Sequence, residues 1–246
     1  MKHKFVKIEL FLFIQNYFYG GITMYKFISY PLKQDDPVWP GCSPVAITPG
    51  ASISKGDVYN AYNFEMNNHI GTHYDAPIHF VANGVPITKL PIDRFIFERP
   101  LLLDIKKESM EKVTAEELAA FSKEIAGCDL LMVRTGFSKY RVSDKDAYVH
   151  RGPAFSSGAA KYLLDNFPNL KALALDTISL ASYSDLDDGV PAHHYMLGAH
   201  HDRFVCIIED VDMRDLTPGK IARVFAMPLL IEGLDSGPVT MVAELK

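Results

Sequence analysis

The residues able to do chemistry gather in two short windows. Residues 69–79 read His69-Ile70-Gly71-Thr72-His73-Tyr74-Asp75-Ala76-Pro77-Ile78-His79, and residues 193–201 read His193-His194-Tyr195-Met196-Leu197-Gly198-Ala199-His200-His201. Together they hold seven of the nine histidines, where even scattering would place roughly one. Neutral imidazole and carboxylate are borderline-to-hard donors, the set that suits Zn²⁺ or Mn²⁺.

Spacing decides part of the ligand set. His73 and Asp75 are two apart, so in an extended segment they point to the same side. Gly71 and Pro77 oppose a helix through the window, so His69 and His73 need not rely on helical spacing. A loop–strand segment would present His69, His73 and Asp75 to one ion, and the second carboxylate oxygen of Asp75 could bridge another. The competing reading is three histidines making ordinary hydrogen bonds beside a strand. In the second window adjacent histidines rarely all bind metal, and spacing leaves the choice among the four open. Glu209 follows the apolar run 204–208, where a carboxylate at a strand end would face a cleft; spacing fits an exposed strand-terminal acid equally well.

These side chains need a scaffold. The first third of the chain predicts β structure at 25–29, 45–48 and 59–66, separated by Pro, Gly, Asp and Ser. Further on, strands and helices alternate. The runs 101–105, 130–134, 173–175, 204–208 and 224–230 read as buried strands. Thr114 with Glu117 forms a capping box for a helix to about residue 121, and 157–166 reads as a second helix. The pattern predicts one α/β or α+β domain with a mixed sheet.

Composition narrows the class. The chain has 246 residues, 48% hydrophobic and 22% charged, with a net charge of −5. Its basic residues form no stripe, which argues against nucleic acid as a partner. The acidic stretch 185–188 reads as a solvated loop. Three cysteines without a Cys-x-x-Cys pair point to a reducing cytoplasm, and each of Cys42, Cys128 and Cys206 reads as a small buried apolar residue. Residues 1–23 hold the apolar Phe11-Leu12-Phe13-Ile14, but Lys7 and Glu9 interrupt that region and no small-residue cleavage site follows. The stretch is too short and too charged for a membrane span. Gly20-Gly21 before Met24 matches a ribosome-binding site read in frame, so 1–23 is expected to be a non-native or disordered extension and 24–246 the domain.

At this point the sequence resembles the bacterial cyclase-family hydrolases, a group that includes kynurenine formamidases and isatin hydrolases. Their signature His-x-Gly-Thr-His-x-Asp-x-Pro-x-His is matched at every fixed position by residues 69–79. Trp39-Pro40-Gly41, Val133-Arg134-Thr135-Gly136, Leu175-Asp176-Thr177, His193 to Gly198 and Ile207-Ile208-Glu209 resemble further family segments. The resemblance implies His69, His73 and Asp75 on one metal, and Asp75, His193 and Glu209 on a second. It implies His79 as proton donor and acceptor and Trp39 as a wall of the substrate pocket, although Trp39 has a packing explanation too. It also implies a swivelling β/β/α fold assembled as a homodimer or homotetramer. Two departures stand out: Cys42 replaces the Asp usual after Trp-Pro-Gly, and the stretch between His193 and Glu209 is longer than in kynurenine formamidases.

The implied chemistry is hydrolysis of an amide C–N bond in a small molecule, with one or two Zn²⁺ or Mn²⁺ ions making hydroxide available near neutral pH. The first expectation is an arylformamidase acting on N-formylkynurenine-like substrates. The alternative is a cyclic amide or imide of the isatin type. A catalytically silent metal-binding member of the fold is a third reading, opposed by His79, for which a purely structural site has no use. A serine or cysteine hydrolase is opposed by the lack of Gly-x-Ser-x-Gly and of any cysteine in a nucleophile context.

Overall fold

The runs 130–134, 173–175 and 204–208 are apolar at nearly every position, which a strand tolerates only when both its faces are covered. The computed structural model, which describes residues 24–246, realises this in one mixed sheet. Its strands are β1 (Met24–Phe27), β4 (His73–Asp75), β5 (Ile96–Phe97), β6 (Pro100–Asp104), β8 (Leu130–Arg134), β10 (Ala172–Leu175), β11 (Cys206–Glu209), β12 (Ile221–Pro228) and β13 (Ser236–Leu245). A hairpin of β2 (Ala46–Ala51) and β3 (Ala61–Glu65) and a short pair, β7 (Lys112–Val113) with β9 (Ala154–Phe155), stand apart from it.

Strand order is β5-β12-β13-β4-β11-β10-β8-β6, with β1 also paired to β13. The strands β6, β8, β10 and β11 run parallel to their neighbours in that half, whereas β4, β12 and β13 pair antiparallel. Alternation sorts the buried side chains to two faces. Leu131, Val133, Leu173, Leu175 and Ile207 pack on one face against Leu163, Leu164, Ala192 and Met196 of the helices Ser157–Asn166 and Leu186–Met196. Leu130, Met132, Ala174, Ile208, Tyr74, Val224 and Met241 fill the other face.

The mixed α/β architecture agrees with the sequence expectation, and the capping box is present, with Thr114 accepting from the Glu117 backbone. That first helix stops at Ala119 and a second turn of helix follows at Ser122–Ala126. One reading is corrected. The acidic stretch 185–188 is not a loop: Asp185 caps the helix Leu186–Met196, its side chain accepting from the Asp188 N–H, with Asp187 and Asp188 in the first turn. Carboxylates are favourable there because the helix N-terminus presents unpaired N–H groups and a positive dipole end. Lys112 bridges both Asp185 and Asp188. The expectation for residues 1–23 lies outside the described residues. Among the described residues no helix is long and apolar enough to cross a membrane.

Candidate metal centre

The site grows from the register of one short strand. In β4, His73 and Asp75 share a face and Tyr74 points into the opposite core, where it is fully buried. Antiparallel pairing with β11 sets Glu209 directly opposite His73, and directly opposed residues stand on the same face. The helix Leu186–Met196 covers that face and brings in His193. His69 enters from the loop before β4.

Ring orientation follows from hydrogen bonds. Nδ1 of His73 bonds the Gly71 carbonyl at 2.8 Å and Nδ1 of His193 bonds the Gly189 carbonyl at 2.8 Å. A carbonyl only accepts, so each Nδ1 carries the proton and each Nε2 is left with a lone pair. Gly71 makes its turn at φ +61°, and a Cβ there would meet Leu32 Cδ2 at 2.3 Å. His69 is tied the other way round. Its Nε2 bonds Asp235 Oδ2 at 2.9 Å, which leaves Nδ1 facing Asp75 Oδ1 at 3.0 Å.

The ligand atoms of His69, His73 and Asp75 lie within 4.8 Å of one another, and so do those of Asp75, His193 and Glu209. Nε2 of His73 sits 3.1 Å from Glu209 Oε2. Despite such short approaches, His73 Nε2 and both carboxylate oxygens of Asp75 are buried without a hydrogen-bond partner. Lone pairs facing one another in a dry interior are costly. A divalent cation is the group that this donor set fits, because it satisfies imidazole and carboxylate lone pairs together.

The site's electrostatics have the same sign. Burial works against the charged form of His69, but Asp75 and Asp235 outweigh it and lift the ring to about 10. Burial likewise opposes charge on His73 and His193, yet the carboxylates raise both. Asp75, though buried, is held well below the usual carboxylate range by His69 and His73. Glu209 is lowered too: burial and Asp75 push it up, and His193 and His73 override them. Ionised carboxylates thus draw positive charge to one point.

Glu209 is aimed by the loop after β10, accepting from the Leu180 N–H at 2.7 Å and from Ser179 Oγ at 3.2 Å. That loop is pinned through Asp176, which accepts from the Thr135 and Gly136 N–H groups at 2.8 and 2.9 Å. The Arg-Thr-Gly and Asp-Thr segments therefore brace the site without entering it. Beyond Glu209 the chain turns at Asp210 with φ +52°, a left-handed conformation uncommon outside glycine. Arg141 holds the Asp210 carboxylate at 2.7 to 2.9 Å and also reaches Asp36 at 3.0 Å.

Of the sequence-predicted residues, His69, His73, Asp75, His193 and Glu209 come together in these two groups. His79 stands beside them on the short turn Pro77–His79, with Nδ1 on Asp235 Oδ2 at 2.7 Å. Trp39 lines the same cavity of about 330 Å³ and meets the Tyr183 ring edge-on at 5.6 Å. Phe80, Ile178, Ala181, Leu186 and Val190 supply its apolar wall and Asn67 and Ser179 its polar points. His200 and His201 are exposed and half-buried His194 packs on Phe80, so the second window contributes His193 alone to the two ligand groups. Cys128 and Cys206 are buried as expected, but Cys42 is half-buried on the cavity wall. A larger apolar hollow of about 1090 Å³ lies against the β2–β3 hairpin and holds none of the ligand residues. Sequence reasoning missed Asp235, Asn67, Ser179 and Phe80. Of these only Phe80, next to His79, carried a local signal.

The Cyclase family model matches residues 27–182. A kynurenine formamidase of Bacillus thuringiensis subsp. konkukian is 28% identical over 225 residues, covering 87% of this chain and 94% of its own. An uncharacterized protein of Haemophilus influenzae is 37% identical over 123 residues, 50% of this chain and 87% of its own. Among solved structures, isatin hydrolase A from Labrenzia aggregata bound to benzyl benzoate superposes with a TM-score of 0.76 at 21% identity. That match covers 90% of this chain and 93% of the hydrolase. At that identity the likeness is one of fold.

Proposed function

The chain belongs to the Cyclase family, and from that premise we propose that it is a metal-dependent hydrolase of a non-peptide C–N bond in a small aromatic amide. The observation that carries this reading is Asp75, whose two buried, unpartnered oxygens lie among His69 Nδ1 and His73 Nε2 on one side and the His193–Glu209 pair on the other. His69, His73 and Asp75 would hold one divalent ion, and Asp75, His193 and Glu209 a second. Zn²⁺ or Mn²⁺ suits a nitrogen–oxygen set without thiolate. Such an ion, when bound, supplies Lewis acidity that makes hydroxide available near neutral pH and polarises an amide carbonyl.

The chain's own residues would do the rest. His79, with Nδ1 committed to Asp235, has Nε2 left to take a proton from water and return it to the leaving nitrogen. Trp39, Phe80, Ile178 and Val190 offer an apolar slot for one aromatic ring and keep bulk water from the reacting bond. An N-formylated aryl amine such as N-formylkynurenine fits this chemistry, as the Bacillus relative's name supports. A cyclic amide or imide of the isatin type is the second reading. It is favoured by a specific feature: the described residues lining the cavity include no lysine or arginine to meet a substrate carboxylate.

We propose further that the protein is cytoplasmic, as its three free thiols allow, and a homodimer or homotetramer. Supporting assembly, Phe27 and Phe64 are 70% and 64% exposed beside the open apolar hollow. Elemental mass spectrometry of protein purified with supplemented metal, paired with a hydrolysis screen over formamides, esters and cyclic imides, tests the function. One or two transition-metal ions per chain and turnover of an amide are expected. Protein free of transition metal, or active on esters alone, would overturn the reading.

A further inference from the structure

Asp235 is neither a ligand in the two groups above nor the acid–base residue, yet it touches both. It ends the turn before β13, where Ser236 pairs with Asp75 across the ladder. Its backbone carbonyl accepts from the Ala76 N–H at 2.8 Å, so it is anchored to the segment that carries the ligands. Its side chain is shared three ways: Oδ1 accepts from Asn68 Nδ2 at 2.7 Å, while Oδ2 accepts from His69 Nε2 at 2.9 Å and from His79 Nδ1 at 2.7 Å.

We propose that Asp235 is a positioning residue that fixes the tautomers of His69 and His79 together, presenting His69 Nδ1 to the metal and His79 Nε2 to the substrate. An ionised carboxylate can only accept, so each ring must place its proton on the nitrogen that faces Asp235. The opposite nitrogen of each ring is then the one turned to the metal or to the substrate. The two rings lie 4.1 Å apart between centroids at 34°, so one oxygen reaches both. Asn68 holds the other oxygen and prevents the carboxylate from rotating away.

A rival role is available, because His69, His79 and Asp235 also lie close enough to hold an ion of their own. The contacts decide against it. Both Asp235 contacts have hydrogen-bond geometry, at 2.9 Å from His69 and 2.7 Å from His79. His69 Nδ1 stands 3.0 Å from Asp75 Oδ1, a buried oxygen left without an aligned hydrogen-bond donor. The metal-facing side of His69 is therefore the Asp75 side.

The proposal rests on the metal-hydrolase reading for its consequences, but its direct readout is independent of turnover. Long-range ¹⁵N–¹H NMR of the full chain reports which nitrogen of each histidine is protonated, with and without Zn²⁺. In the Zn²⁺-loaded wild type, His69 should carry its proton on Nε2 alone, and His79 should be protonated at Nδ1. In Asp235→Asn, whose amide donates to at least one ring, one or both tautomers should invert. Zn²⁺ affinity, by competition with a chromogenic chelator, should weaken ~10–100-fold, the usual cost of losing a carboxylate behind a metal-bound imidazole. On an amide that the wild type cleaves, kcat should fall by ~10²–10⁴ with KM changed little. Asp235→Glu should recover part of each loss.

Unchanged tautomers and wild-type kcat in Asp235→Asn would overturn the proposal. So would three bound ions in the wild type with one lost in Asp235→Ala, which would make Asp235 a ligand. If Asp235→Asn does not fold, the same tautomer measurement on Asp235→Ala decides: rings that keep their tautomers with no carboxylate present overturn the proposal. A wild type that binds no Zn²⁺ but keeps the His79 proton on Nδ1, and loses that preference in Asp235→Asn, refutes the hydrolase reading and leaves the positioning role standing.

Discussion

Replacing Asp75 by Asn separates a metal centre from a buried polar cluster. The substitution keeps shape and removes the charge shared by both ligand groups, at a residue that is 1% exposed and has neither carboxylate oxygen hydrogen-bonded. A ligand present at a hundred times its Kd stabilises the folded state by about 2.7 kcal/mol. For a chain of this length each kcal/mol moves Tm by about 2–4 °C, so the metal should raise the wild-type Tm by about 5–11 °C. If the variant's Kd is a hundredfold weaker, the same metal concentration only equals Kd. The stabilisation left is about 0.4 kcal/mol, or about 1–2 °C. Differential scanning calorimetry with fixed Zn²⁺ and then with excess chelator measures both shifts, and the chelator scans isolate any effect on the metal-free fold. A wild type whose Tm ignores metal would refute the metal centre. An Asp75→Asn variant that keeps the full shift would refute the shared-ligand role of Asp75.

His79→Ala should keep its metal while kcat falls by ~10²–10⁴ and KM changes little, since general acid–base help is worth about that much. Elemental analysis and kinetics on one preparation check this; joint loss of metal and activity would make His79 a ligand, and full turnover would return it to packing. Arg141→Ala should destabilise the fold by about 3–5 kcal/mol, because it strands the buried Asp210 carboxylate and frees Asp36. A calorimetric loss under about 1 kcal/mol would show that the left-handed turn at Asp210 holds without that ion pair.

What was legible in the sequence depended on how far apart the interacting residues lie. The strands β8, β10 and β11 were readable because burial on both faces leaves an unbroken apolar run. The ten-residue β13 escaped because Gly237 and Pro238 near its start resemble turn punctuation. The helix Leu186–Met196 was hidden by Gly189 and Pro191 inside it and by an acidic first turn that mimics a solvated loop. Local spacing could pair His73 with Asp75 because one strand carries both.

The remaining partners meet only through folding. Glu209 stands opposite His73 through a register between strands 136 residues apart, so its place at a strand end left it equally an exposed acid, and the family resemblance was needed to name it a ligand. Asp235 reaches His79 across 156 residues of chain, and no periodicity signals it. A strand of three residues can present two ligands on one face but has no third position for a carboxylate facing His73. The antiparallel neighbour β11 must supply it with Glu209, while the turn before β13 brings Asp235 to His69 and His79. The motif at 69–79 is thus half of a site whose other half is a consequence of sheet topology, and inserting one residue into β11 should dismantle it as effectively as deleting a histidine, by rotating Glu209 to the opposite face.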